Sequence, residues 1–149
     1  MPILNYTTDI SAHRTLSEIQ QQLASKGANK VMIEYNQDPA AQRGQPIALM
    51  FQIQVGNGED YHYRLPCRHQ GVLKALRNDK DVGRRYKTEQ HALNVAWRII
   101  KDWVEVQLAL VQSQQSTMDE VFFAYLLQES GATIYQTFTQ SRHLIEKQS

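Results

Sequence analysis

Ile47, Leu49, Phe51, Ile53 and Val55 place an apolar residue at every second position, and Gly56-Asn57-Gly58 follows at once. Tyr61, Tyr63 and Leu65 then resume the same spacing. Strand side chains alternate between two faces, so each run turns one apolar face toward a core. Glycine and asparagine tolerate the positive φ of tight hairpin turns. The stretch predicts an antiparallel hairpin, with Pro66 closing its second strand. Val31, Ile33 and Tyr35 alternate in the same way and predict a neighbouring strand. Ile3 to Thr8 reads as a further short strand. Before Val31, Thr15-Leu16-Ser17-Glu18 has capping-box spacing, and Leu16, Ile19 and Leu23 follow at helical spacing. Gly27 is placed to end that helix. The polar, proline-bearing stretch 36–46 reads as an exposed loop.

The second half changes period. Val72, Leu73 and Leu76 predict a short helix, and a polar, basic loop spans 78–87. Thr88 is placed to cap a long helix reaching about Gln112, with Ala92, Val95, Ala96, Ile99, Trp103, Val106 and Leu110 as its apolar stripe. In that phase Ile99 and Trp103 are buried, while Arg98 and Lys101 face water. Trp97 lies off the stripe and is a candidate for exposure. Ser116 or Thr117 is placed to cap a helix holding Val121, Phe122, Tyr125 and Leu126. A last short segment carries Ile134, Tyr135 and Phe138. The order β-α-β-β-β followed by helices predicts an α+β fold. It has a largely antiparallel N-terminal sheet and a helical C-terminal half, as a single domain over 1–149.

With 149 residues, 42% apolar and 21% charged, the chain has the composition of a globular domain able to bury its own core. One cysteine, Cys67, excludes an internal disulfide and fits a reducing compartment. The opening Met1-Pro2-Ile3-Leu4-Asn5-Tyr6 has no basic-then-apolar pattern, which predicts no signal peptide. The most apolar helix candidate carries Arg98, Lys101, Asp102 and Glu105, so no membrane span is expected. The expected location is cytoplasmic.

The basic residues are segregated. Positions 64–101 hold ten Lys or Arg against three Asp or Glu, a net of +7, although the whole chain is +1. On the long helix His91, Asn94, Arg98 and Lys101 recur at spacings that align them on one face. Arg84, Arg85 and Lys87 lie just before it. Arginine grips phosphate with paired hydrogen bonds and lysine adds a point charge. Together Arg84, Arg85, Lys87, His91, Asn94, Arg98 and Lys101 form a candidate surface for nucleic acid or another partner. An amphipathic helix must also put polar groups toward solvent, so the same pattern has a purely structural reading.

Other chemistries find little support. Cys67 and His69 lack the further ligands that structural zinc requires. Cys67, at a strand end, reads as an inert thiol rather than a nucleophile. The glycines lie in a turn and form no phosphate cradle. No carboxylate pair stands out as an acid and base. Tyr35, Phe51, Tyr61 and Tyr63 fit base stacking, but their alternation favours the core. No catalytic residue, metal or cofactor is expected.

Several stretches are similar to a family of small, functionally unassigned proteins encoded by phages and prophages. They are Met1 to Thr8, Tyr63-Arg64-Leu65-Pro66, Gly71 to Leu76, Arg85-Tyr86-Lys87-Thr88, Ala96 to Trp103, Val121 to Tyr125, and Thr133-Ile134-Tyr135. The loop 36–46 is longer than is usual in that family, and Ala124 stands where proline is expected. The resemblance implies a mobile-element origin and supplies no activity or site residues.

Two functions follow as expectations. One is a non-catalytic accessory protein that binds nucleic acid through the basic loop and helix face. The other is an inhibitor of a host defence system that binds a protein complex or sequesters a nucleotide signal. The apolar stretches 104–111 and 121–127 exceed what a small sheet can cover, so a homodimer through the helical half is expected.

Overall fold

The computed structural model describes residues 1–40 and 43–148, the last five of these by backbone alone. Residues 41 and 42, within the expected loop 36–46, lie outside the described residues. Helix α1 (Ala12–Ser25) leads into strands β1 (Ala28–Tyr35), β2 (Pro46–Gln54) and β3 (Asp60–Pro66), then α2 (His69–Asn78). A 3-10 turn at Arg84–Tyr86 precedes the long α3 (Glu89–Gln112). The chain ends with the short α4 (Met118–Val121), a 3-10 turn at Phe123–Tyr125 and α5 (Ile134–Gln148). The fold is α+β, with a three-stranded antiparallel sheet in the order β1-β2-β3 and a helical C-terminal half.

The hairpin forms as its pattern dictates. Leu49 lies between Ile33 and Leu65, and Phe51 between Val31 and Tyr63. These side chains share the inner face with Leu16, Ile19, Leu23, Leu93 and Trp97 from the helices. Phe51 and Tyr63 stack with centroids 5.1 Å apart, and Phe122 meets the Phe51 ring edge-on at 5.1 Å. Of the four alternating aromatics, Phe51 and Tyr63 therefore build core, Tyr61 packs against it half-buried, and Tyr35, expected in the core, is exposed at the end of β1. Gly58 supplies the positive φ (85°) of the β2–β3 turn.

Three local expectations are corrected. Residues 3–8 make consecutive turns, with Tyr6 N–H donating to Ile3 O (3.2 Å) and Thr8 N–H to Asn5 O (3.0 Å). Asn5 tolerates φ 65°, and Ile3 and Tyr6 pack on a second small core of Leu76, Val82 and Ala92. That packing outweighs weak strand propensity, so no first strand joins the sheet. Second, α1 starts earlier than the capping-box spacing predicts: the Ser11 side chain accepts from Arg14 N–H, and Thr15 lies buried inside the helix. Third, the helix expected around 121–126 breaks into α4 and a 3-10 turn. Leu126 then bridges to Tyr63, and Leu127 N–H donates to His62 O (2.7 Å), along the edge of β3.

Candidate nucleic-acid interface

The described structure separates the basic residues into two groups. The first lies on α2 and the loop after it. The α2 side chains Val72, Leu73 and Leu76 turn inward, whereas Gln70, Lys74 and Arg77, spaced by four and three residues, are exposed. Arg68, at the α2 N-cap position, and Lys80, beyond its end, are also exposed or partly so. Asp79 Oδ1 accepts from Asp81 N–H (2.9 Å), a local turn that uses one of the loop's two acidic side chains. Buried Val82 anchors the loop to Leu76 of α2 and Ala92 of α3. From that anchor Arg84 and Arg85 extend into solvent, and Lys87 is half-buried. The Arg85 guanidinium lies 4.6 Å over the Tyr86 ring, which is edge-on to Tyr6. Among the described residues, Arg68, Lys74, Arg77, Lys80 and Arg84 make no ion pair.

The second group is the polar face of α3, and the expectation that Arg98 and Lys101 face water is corrected. Their side chains are each only 15% exposed. Arg98 Nη1 donates to Glu18 Oε2 (2.7 Å) and to Thr15 Oγ1 (3.4 Å) on α1. Lys101 pairs with Glu105 one turn on (3.5 Å). Asn94 Oδ1 accepts from Ala12 N–H (3.0 Å), at the start of α1, and from Gln90 (3.2 Å). The His91 ring bonds the Tyr6 carbonyl and tilts against Tyr86. Asn5 donates to Asp102 (2.8 Å). His91, Asn94 and Arg98 thus meet the N-terminal segment and α1, while Lys101 pairs along its own helix. The cause is tertiary: α3 is flanked by both α1 and α2 and is buried on more than its apolar stripe. Trp97, expected to be exposed, is fully buried, and its indole N–H donates to Pro46 O (3.2 Å). Ile99 and Trp103, expected to be buried, are half-buried.

Those two residues line a cleft of about 310 Å³ with Leu65, Val72, Ile100 and Tyr125, and Arg68 stands at its wall. Arg68, Lys74, Arg77 and Lys80 belong to the charge excess of 64–101 but not to the surface expected from the sequence. The signal was present, since Gln70, Lys74 and Arg77 oppose the Val72, Leu73 and Leu76 stripe.

Cys67 is buried where β3 gives way to α2, and burial pushes its thiol up to about 12. A hydrogen bond from the His69 backbone opposes that shift in part. Cys67 is accordingly a neutral thiol at physiological pH. Among the described residues no three His, Cys, Asp or Glu side chains come close enough to hold a metal ion. No helix among them is long and apolar enough to cross a membrane. No protein-family model, curated protein or solved structure matches the chain.

Proposed function

We propose that this chain is a non-catalytic accessory protein, of phage or mobile-element origin, that binds the nucleic-acid backbone through α2 and the following loop. The observation that carries the reading is the run from Arg68 to Lys87. It holds seven basic and two acidic residues, a net of +5, and most of the basic groups are exposed without ion pairs among the described residues. Exposed cations on one short helix and its adjoining loop concentrate positive potential, whatever the net charge of the molecule. They suit a run of phosphates, whose neutralisation releases counterions. Arg84 and Arg85 keep the role that the sequence suggests for them. Arg68, Lys74, Arg77 and Lys80 take the place of the α3 face, whose polar groups are occupied within the chain.

Titration of fluorescently labelled single-stranded and duplex DNA and RNA at increasing salt tests the proposal. Binding is expected to weaken steeply with salt and to depend little on sequence, because phosphate contacts position without reading bases. Each doubly substituted variant, Lys74→Ala/Arg77→Ala or Arg84→Ala/Arg85→Ala, should flatten the salt slope by about two units. Folded variants with unchanged affinity and slope would overturn the surface. Wild-type protein that binds none of the probes at low salt would overturn the function and favour an inhibitor that docks on a protein complex.

A further inference from the structure

The two edges of the sheet differ. The edge of β3 is partly closed by the bridge from Leu126 to Tyr63 and by Leu127 N–H on His62 O. Strand β1 pairs only with β2, and no described residue hydrogen-bonds to the backbone groups on its other side. Its ladder with β2 is regular only from Lys30 to Glu34, with a register shift on either side of that stretch. Within these five residues the side chains are symmetric in kind about Met32, which is 62% exposed. Lys30 and Glu34 flank it on the outer face at two-residue spacing, and half-buried Val31 and Ile33 flank it on the inner face.

We propose that β1 is the docking edge for a second copy of this chain, paired antiparallel about a two-fold axis beside Met32. That arrangement sets Met32 against Met32 of the second copy. It sets Lys30 against Glu34 twice over, and Val31 against Ile33 twice over. Antiparallel pairing is the geometry a two-fold axis produces, with the same patch used by both copies. A lysine on an exposed edge ordinarily discourages pairing. Here the glutamate four residues on turns it into a self-complementary contact, since opposite charges directly across a ladder attract and like charges repel. The charges also select the register. A shift by two residues sets Lys30 or Glu34 against Met32 and loses both charge pairs, while a parallel arrangement brings like charges together. Glu34 already receives two hydrogen bonds from Arg64 (3.2 and 2.9 Å), which hold its carboxylate ionised and in place. That carboxylate remains partly exposed, with room for a second cation. The product is a continuous six-stranded antiparallel sheet, with the two α1 helices flanking the seam on its inner face.

Sedimentation equilibrium at about 50 µM, within the range where modest interfaces populate dimers, reads the outcome. Wild-type protein is expected to be dimeric. Lys30→Glu and Glu34→Lys should each raise the dissociation constant about tenfold or more, because each converts two attractive contacts into two repulsive ones. Mixing the two variants one to one should restore a dimer. In the mixed pair the first variant presents a carboxylate at both positions and the second an ammonium at both, so each contact attracts again. Recovery in the mixture also shows that both variants are folded. Monomeric wild-type protein overturns the proposal. So does a dimer that survives both substitutions, which places the interface elsewhere, or a mixture that stays monomeric while circular dichroism reports native folds.

Discussion

Two stretches of this chain carry nearly the same pattern and do opposite things. On α2 an apolar stripe, Val72, Leu73 and Leu76, is opposed by Gln70, Lys74 and Arg77. On α3 another stripe is opposed by His91, Asn94, Arg98 and Lys101. The α2 cations stand in solvent, whereas Arg98 reaches Glu18 on α1, 80 positions away in sequence. The difference lies in neighbours. Helix α3 packs against α1 and α2 together, and the N-terminal segment folds over its first half. Helix α2 rests on α3 and leaves its far side open. A basic helical face therefore identifies a binding surface only when nothing else in the chain can reach it.

The largest expected effect lies on the enclosed helix. Trp97→Ala removes a fully buried indole and its hydrogen bond to Pro46 O, and should cost about 3–5 kcal/mol in urea unfolding. A cost under about 1 kcal/mol would mean that α3 is not enclosed on that side. Arg98→Ala comes next, at about 2–3 kcal/mol, because it leaves Glu18 and Thr15 without their largely buried donor. A double-mutant cycle with Glu18→Gln should show coupling of about 1 kcal/mol or more. Absence of coupling would remove the distinction between the two basic regions.

These effects mark what local pattern reveals and what it conceals. The hairpin, the Thr88 cap, a cap at Ser116 or Thr117 (Thr117 fills it) and the extent of α3 were legible, because each depends on residues within one or two turns of each other. The phase of α3 was not. Its expected stripe assumed one buried side, and a helix between two others has more, so Trp97 and Arg98 went inward. Ile3 to Thr8 read as a strand because six residues carry too little period to outweigh a packing site on Leu76 and Val82. Of the candidate surface, Arg84 and Arg85 were legible as loop cations. Lys74 and Arg77 were less legible, because α2 is short and its three apolar positions define a face only weakly.

The joint where α2 leaves β3 gives a smaller, pH-dependent effect. Burial raises the Cys67 thiol from 9.0 to about 12, and mainly burial raises the Tyr63 hydroxyl from 10.0 to about 12. Well below pH 9 both groups stay protonated in the folded and unfolded chains and contribute no pH dependence. Above it the unfolded chain releases the thiol proton while the folded chain keeps it, so stability falls as pH rises toward 12. Cys67→Ala should delay the onset of that decline to about pH 10, where Tyr63 begins to contribute. Urea midpoints measured from neutral to alkaline pH check this, and an unchanged onset in the variant would exclude Cys67 as its source.

The smallest expected effect is on the open surface. Lys74, Arg77, Arg84 and Arg85 are exposed, and none makes an ion pair among the described residues. Removing a charge at such a site usually changes stability by less than about 0.5 kcal/mol. Here the net change should be close to neutral, since relief of like-charge repulsion on the helix and its adjoining loop is offset by loss of the Arg85 stack on Tyr86. Added salt screens that repulsion over about 10 Å at 0.1 M, so wild-type protein should gain slightly in stability with salt. The variant lacking all four charges should gain less. Thermal unfolding of the two proteins at low and moderate salt separates the cases. A loss above about 1 kcal/mol in the variant would show that these cations are held within the fold as Arg98 is, and the contrast between α2 and α3 would collapse.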